Sequence, residues 1–344
     1  MFIQKETIFT SMLKRFTGAF ASVFGFLLAL IFIGFILGFS QMGSAVKADL
    51  MVMQVHPIDS LIAKPFKAKK PVILQINIEG QIGNDPLTSK HIQKILSQPE
   101  AYNFSEGQVK GILLRINSPG GSASVCSEMY ADLMSYKQAK SIPIHTWIGD
   151  ICASGGVYLS CASDYISAQN LSLIGSVGVR SKPNFNFYNW MQEHGISETT
   201  ITAGKNKVHL PMFSKMPPGT SSYDDLIAVI DFIYDNFLGV VVKARGAHGL
   251  TKEKLVSIGA SVYSSVKAQE LGFIDEANVR YREAVMHLAK SLELDDYQVI
   301  SFENPESYID GWKKSIESKC SFLLKNTSKE MPFSLEADFS EPSA

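Results

Sequence analysis

The sequence predicts a layered α/β fold of βαβ units carried behind an N-terminal transmembrane helix, and three observations predict it. From residue 71 onward, short apolar runs with strand character alternate with helical stretches, the grammar of a parallel sheet covered by helices. Two of the strand-to-helix turns are glycine-rich, Asn117-Ser-Pro-Gly-Gly121 and Ser154-Gly-Gly156, and in such sheets active sites gather at the carboxyl ends of the strands. The third observation is a run without charge from Phe16 to Val46, long enough to cross a bilayer.

Within that run, Ala19–Phe39 is almost wholly apolar, with Lys5, Lys14 and Arg15 before it and only Lys47 and Asp49 close behind. The positive flank stays in the cytoplasm, which places the rest of the chain outside it. The length of the run favours an uncleaved anchor over a signal peptide. Residues 1–46 therefore read as cytoplasmic N-terminus and anchor, and 47–70, which lack a clear period, as a juxtamembrane linker.

A folded domain is expected over 71–290. Its strands are predicted at Val72–Ile78, Val109–Ile116, Ile142–Ile148, Tyr165–Gln169, Glu198–Thr202 and Gly272–Glu276. Helices are predicted over Pro86–Ser97, Ser122–Gln138, Ala153–Cys161, Phe185–His194, Ser222–Arg245, Lys252–Ser257, Ser264–Leu271 and Tyr281–Leu292. Leu173–Val179 reads as a third glycine-marked turn. The polar residues 291–344 read as a C-terminal extension, disordered in part.

Composition narrows the function classes. With 344 residues, 46% hydrophobic and 19% charged, the chain builds a substantial core. A formal net charge of −1 speaks against a nucleic-acid surface. Cys126, Cys152, Cys161 and Cys320 show no Cys-x-x-Cys spacing, which argues against a metal site; three of the four fall in segments that read as buried helices or their caps and pack as small hydrophobes, with a disulfide as the alternative in an exported domain.

The chemistry centres on Ser154. A serine at the start of a helix sits where free backbone N–H groups favour developing negative charge, and Gly155 and Gly156 let another chain approach. An acyl-transfer nucleophile needs both, and it also needs a base. None of the seven histidines lies in a glycine-framed turn beside an acidic residue. A lysine serves if burial lowers its pKa; a shift of about three units costs roughly 4 kcal/mol. Lys205 and Lys207 follow a predicted strand, in a loop with Gly204. On the residues alone, a serine N-cap and solvent-exposed lysines remain the competing reading.

Four segments change the balance: Asn117-Ser-Pro-Gly-Gly121, Ala153-Ser-Gly-Gly-Val-Tyr158, Ile174-Gly-Ser-Val-Gly-Val179 and Ala203-Gly-Lys-Asn-Lys207. In this order and spacing they resemble the signal peptide peptidase A family of membrane-anchored serine proteases. The likeness covers about residues 71–280 and is nearest to the short, single-repeat members, including the SohB-like branch. It implies a ClpP/crotonase-like layered fold and a serine protease domain over 71–290. It also implies Ser154 as nucleophile, Lys207 as general base with Lys205 as the fallback, and Ser176 orienting the lysine. The N–H groups of Gly121 and Gly155 would form the oxyanion hole. Val157, Ala203 and Val208 depart from the family's usual aromatic, small hydroxyl and acidic residues at their positions.

The function so implied is hydrolysis of remnant signal peptides and other short or unfolded segments near the membrane, with no metal or organic cofactor. The enzyme would be a single-pass protein of the inner membrane with its catalytic domain on the periplasmic side. Its partners would be peptide substrates, the membrane and copies of itself in a homo-oligomeric ring, where serine and lysine can come from neighbouring subunits. Two other readings stand beside this one: a crotonase-like acyl-CoA enzyme, which would need no Ser154, and a catalytically inactive membrane scaffold.

Overall fold

The computed structural model describes residues 25, 28, 51–57, 65–204, 207, 211–215 and 221–304. The chain divides into two units, Met1–Met51 and Val52–Ala344, and the fold is that of the second. It opens with β1 (Val52–His56) and β2 (Val72–Glu79), then α1 (Ser89–Ala101), which Thr88 caps by accepting a hydrogen bond from the His91 N–H. β3 (Val109–Ser118) runs through the two-glycine turn into α2 (Ala123–Lys140), and β4 (Ile144–Ala153) runs through Ser154 into the short α3 (Gly155–Ser160). β5 (Tyr165–Ala168), β6 (Leu173–Gly175) and α4 (Tyr188–Glu193) lead to the long α5 (Ser221–Arg245). The described chain closes with α6 (Lys252–Ile258), β7 (Val262–Ser264), α7 (Ser265–Leu271), α8 (Tyr281–Ser291) and β8 (Gln298–Glu303).

These strands form one sheet in the order β1-β8-β2-β3-β4-β6-β7, with β5 also paired to β4. The pairs among β8, β2, β3 and β4 are parallel, and so are those of β4 with β5 and β6; β1 and β7 join antiparallel at the two ends. Parallel strands need cover on both faces, which is why β2 and β3 read as nearly unbroken apolar runs. On one face Ile73, Leu113, Trp147 and Val299 pack against Ala284, Val285, Leu288 and Ala289 of α8. The alternate residues Ile112, Leu114 and Ile116 are equally buried on the other.

The β3–β4 register slips where the functional turns begin: Ile116 faces Ile148, but Ser118 faces Cys152. The Asn117 side chain fills the step, accepting from Ile151 N–H at 3.2 Å and donating to Asp150 at 3.3 Å. Asp150 is held from its other side by Gln169 at 2.9 Å. Past the bulge β4 keeps a neighbour on each side: Cys152 faces Ser118 of β3 and Ile174 of β6, and Ala153 lies opposite Gly175.

Several expectations need correction. Glu198–Thr202 forms no strand: the segment is rich in β-branched residues but fully exposed, with Ile201 at 95% exposure, and propensity without a partner strand does not make a sheet. Gly272–Glu276 is a turn rather than a strand, touching the sheet by one bridge from Glu276 to Ser167. β1 and β8, in stretches read as linker and C-terminal extension, belong to the sheet. Among the described residues no helix is long and apolar enough to cross a membrane. Apart from Gly25 and Leu28, the anchor predicted within 1–46 lies outside the described residues, as do Lys205, Cys320 and the tail beyond 304.

His145, near the start of β4, is only 6% exposed, and its Nδ1 has no hydrogen-bond partner among the described residues. Its ring is 5.3 Å from that of Tyr165 and 5.4 Å from that of His287, which stack on each other at 4.0 Å. Burial, then the neighbouring His287, pull its pKa down to about 4. A histidine kept neutral by the fold binds its proton more weakly folded than unfolded. Its contribution is therefore intact above the unfolded value of 6.5 and is lost as pH falls toward 4. That loss amounts to about 3 kcal/mol. Replacing His145 by Phe should remove this part of the acid limb, seen as a flatter dependence of urea-unfolding free energy on pH between 6.5 and 4.

Arg245, 3% exposed at the end of α5, makes a two-pronged ion pair with Asp275 at 3.0 Å and donates to the Gly272 carbonyl at 2.9 Å. Asp275 also accepts from Ile166 N–H of β5 at 2.7 Å, so the pair pins α5 to the sheet. Asp275→Asn leaves a buried guanidinium uncompensated and should cost about 3–5 kcal/mol by chemical denaturation.

Candidate active site

Ser154 occupies the corner between β4 and α3 with φ 50° and ψ −116°, a conformation that costs a non-glycine residue about 1–3 kcal/mol. Three features hold it there. Its N–H donates to the Gly175 carbonyl of β6 at 2.9 Å, and its carbonyl accepts from Tyr158 N–H at 3.1 Å. All six residues of α3 are buried, so the helix behind the corner cannot swing to release it. Ser154 itself is half-buried, and its hydroxyl has no hydrogen-bond partner among the described residues.

The second glycine turn presses directly on this corner. A side-chain carbon on Gly120 would lie 2.7 Å from the Gly155 nitrogen and 2.8 Å from Ser154 Cβ, so only glycine permits the approach. A carbon on Gly121 would collide with the Ile82 carbonyl oxygen at 1.9 Å. Ser118, fully buried, staples the turn: its hydroxyl donates to the Gly80 carbonyl at 2.6 Å and accepts from Gly120 N–H at 3.1 Å.

Ile82 bridges this segment in parallel, donating to Gly120 C=O and accepting from Ser122 N–H, each at 2.9 Å. In that pattern the N–H of Gly121 points away from Ile82. The Gly121 nitrogen lies beside the Ser154–Gly155 corner, 3.3 Å from where a Gly155 side chain would begin. The Gly155 N–H, at the first position of α3, has no acceptor within its helix. Two fixed backbone donors beside one hydroxyl can stabilise the oxyanion of a tetrahedral intermediate.

Ser176 completes the cluster. The pairing of Ala153 with Gly175 sets it next to Ser154, and it too has a positive φ, 57°, with its N–H donating to Ser261 C=O at 2.7 Å. Ser154, Gly155, Gly121 and Ser176 are thus brought to one corner. Lys207 is not joined to them by any hydrogen bond among the described residues, and its side chain is exposed. Gly120, Ser118 and Ile82 shape the corner as much as the residues singled out from the sequence. Gly120 was legible as the first glycine of its pair, whereas nothing in the sequence marks Ile82. Among the described residues no group of three His, Cys, Asp or Glu can hold a metal ion.

Comparison with known proteins points the same way. The sequence pattern of peptidase family S49 matches residues 136–295. A protein of Enterococcus faecium described as a candidate signal peptide peptidase SppA is 30% identical over 244 residues, covering 69% of this chain and 67% of the relative. A Synechocystis protein described as a candidate protease is 28% identical over 249 residues, 71% of this chain and 84% of the relative. Protease 4 of Haemophilus influenzae is 28% identical over 239 residues, 66% of this chain but 37% of the longer relative. With kinship of this extent, the chain belongs to peptidase family S49 and is a serine protease.

Proposed function

We propose that the chain is a membrane-anchored endopeptidase in which Ser154 is the nucleophile and Lys207 its general base. Its substrates are remnant signal peptides and other short or unfolded segments close to the membrane. The observation that carries this reading is the strained Ser154 backbone at a corner that also holds the nitrogens of Gly121 and Gly155. The neutral Lys207 amine takes the Ser154 proton as Oγ bonds to the peptide carbonyl carbon, and the two N–H groups hold the resulting oxyanion. The ammonium gives that proton to the leaving nitrogen as the C–N bond breaks. Water, activated by the same amine, then releases the acyl group. Ser176, beside Ser154, orients the amine. The chemistry calls for no cofactor.

Burial is one way to make an amine a base at neutral pH, and Lys207 is exposed in the single chain. A neighbouring copy supplies the missing cover in a homo-oligomeric ring, with serine and lysine meeting at subunit interfaces. Exposed apolar side chains support such contacts: Phe185, Phe187, Trp190, Ile201, Phe213 and Phe232 are all at least 44% exposed. The apolar run at residues 16–46 supports a single-pass anchor in the inner membrane with the catalytic domain on the periplasmic side.

Ser154→Ala and Lys207→Ala should each lower kcat/KM for an unfolded peptide at least about a thousandfold without loss of folded protein. Undiminished cleavage by either variant removes that residue from the dyad, and an inactive unmutated protein returns the scaffold reading. A mixture of the two variants tests the shared site. If serine and lysine come from adjacent copies, random assembly restores about a quarter of the activity, whereas a site within one chain restores none.

A further inference from the structure

We propose that Cys126 is a positioning residue for the oxyanion hole, its thiol acting as the spacer that fixes the Gly121 and Gly155 N–H groups at their working separation. This rests on the assignment of Ser154 as nucleophile and of those two donors. Cys126 lies in the first turn of α2, with its N–H bonded to the Ser122 carbonyl at 3.0 Å, and is 2% exposed. Its sulfur sits 2.4 Å from the point where a Gly155 side chain would begin. Gly121 N and Ile82 Cδ1 are each 3.3 Å from that same point. One donor opens α3, and the other immediately precedes the capping residue of α2. A single sulfur therefore spans the gap between the two elements that carry them.

The size of the group matters because the contact is with backbone. α3 is short and buried throughout, so a wider side chain at 126 has no room and must push Gly155 away from Gly121. A narrower one lets the two turns sag together. Burial raises the thiol to about 12, which keeps it protonated and leaves it neither nucleophile nor metal ligand at neutral pH. The other buried thiols are placed differently. Cys152 meets the Gly156 position at an ordinary 3.5 Å, and Cys161 caps the far end of α3.

The test is a substitution series in the full-length protein: Cys126→Ser, Cys126→Ala and Cys126→Val, with Cys161→Ala as control. Each is read by kcat and KM on a peptide substrate, by affinity for a peptide aldehyde whose hemiacetal oxygen occupies the hole, and by melting temperature. Ser preserves the spacing and should keep kcat within about threefold, its hydroxyl bonding back to the Ser122 carbonyl. Ala should lower kcat about tenfold and Val about a hundredfold, with KM within about threefold in both and aldehyde affinity falling in step with kcat. Cys161→Ala should leave kcat and aldehyde affinity unchanged.

The proposal is overturned if folded Ala and Val variants both keep kcat within threefold of the parent, or if KM rises as kcat falls while aldehyde affinity holds. Should Val prevent folding, Ala alone decides, because a small cavity leaves the fold intact. A Ser154→Ala variant run beside the series separates the two levels. If it still hydrolyses the peptide, the nucleophile assignment has failed and takes the spacer with it. If it is inactive while the series is flat, only the spacer has failed.

Discussion

Everything at the functional corner depends on two peptide segments lying closer together than side chains allow. Gly120 rests against the Ser154–Gly155 backbone and Gly121 against the Ile82 carbonyl, with the separations a Cβ would need already filled by backbone atoms. Neither contact stabilises the fold much by itself, since little apolar area lies between two glycines. They are held by what surrounds them: the buried Ser118 staple, the parallel bridge to Ile82, and the full burial of α3. The local strain at Ser154, about 1–3 kcal/mol, is small against the packing of the strands that flank it and can be borne without further compensation.

The β3–β4 bulge connects this corner to the rest of the sheet. The Asn117 side chain spans the step left by the extra residues of β4, and past it β4 pairs with β3 on one side and with β6 on the other. The pairing with β6 brings a second non-glycine residue of positive φ, Ser176, alongside the first. Two neighbouring backbone positions in unfavourable conformations, each tied by its N–H to a carbonyl on another element, are the signature of geometry imposed from outside the segment rather than chosen by it.

What could be read from the sequence divides along the range of the interactions. The corner was legible because turn chemistry is local: consecutive glycines at 120–121 and 155–156, each after an apolar run, announce close backbone approach wherever the chain goes. The central strands were legible because a buried parallel strand is apolar throughout. β1 and β8 were not, because each is short and its partners lie far along the chain: Gln54 pairs with Ser301, and Ile300 with Leu74 of β2. Glu198–Thr202 shows the converse, a run of strand-forming residues that finds no partner and stays exposed. His145 belongs to the same class, since nothing in Ile142–Ile148 shows that its ring will face His287 on a helix placed there by tertiary packing.

The two halves of the proposed dyad differ in the same way, and the difference bears on control. The serine half is rigid, built from strand ends and a buried helix, and is complete within one chain. The lysine half is different: Lys207 itself lies in no helix or strand and is turned to solvent. If Ser154 and Lys207 act as proposed, the chemistry is gated by whatever covers the lysine. If that cover is another copy, hydrolysis begins with assembly, and an unassembled chain carries its nucleophile harmlessly. The apolar side chains left exposed, Phe185, Phe187, Trp190 and Phe232 among them, would give such a contact its driving force.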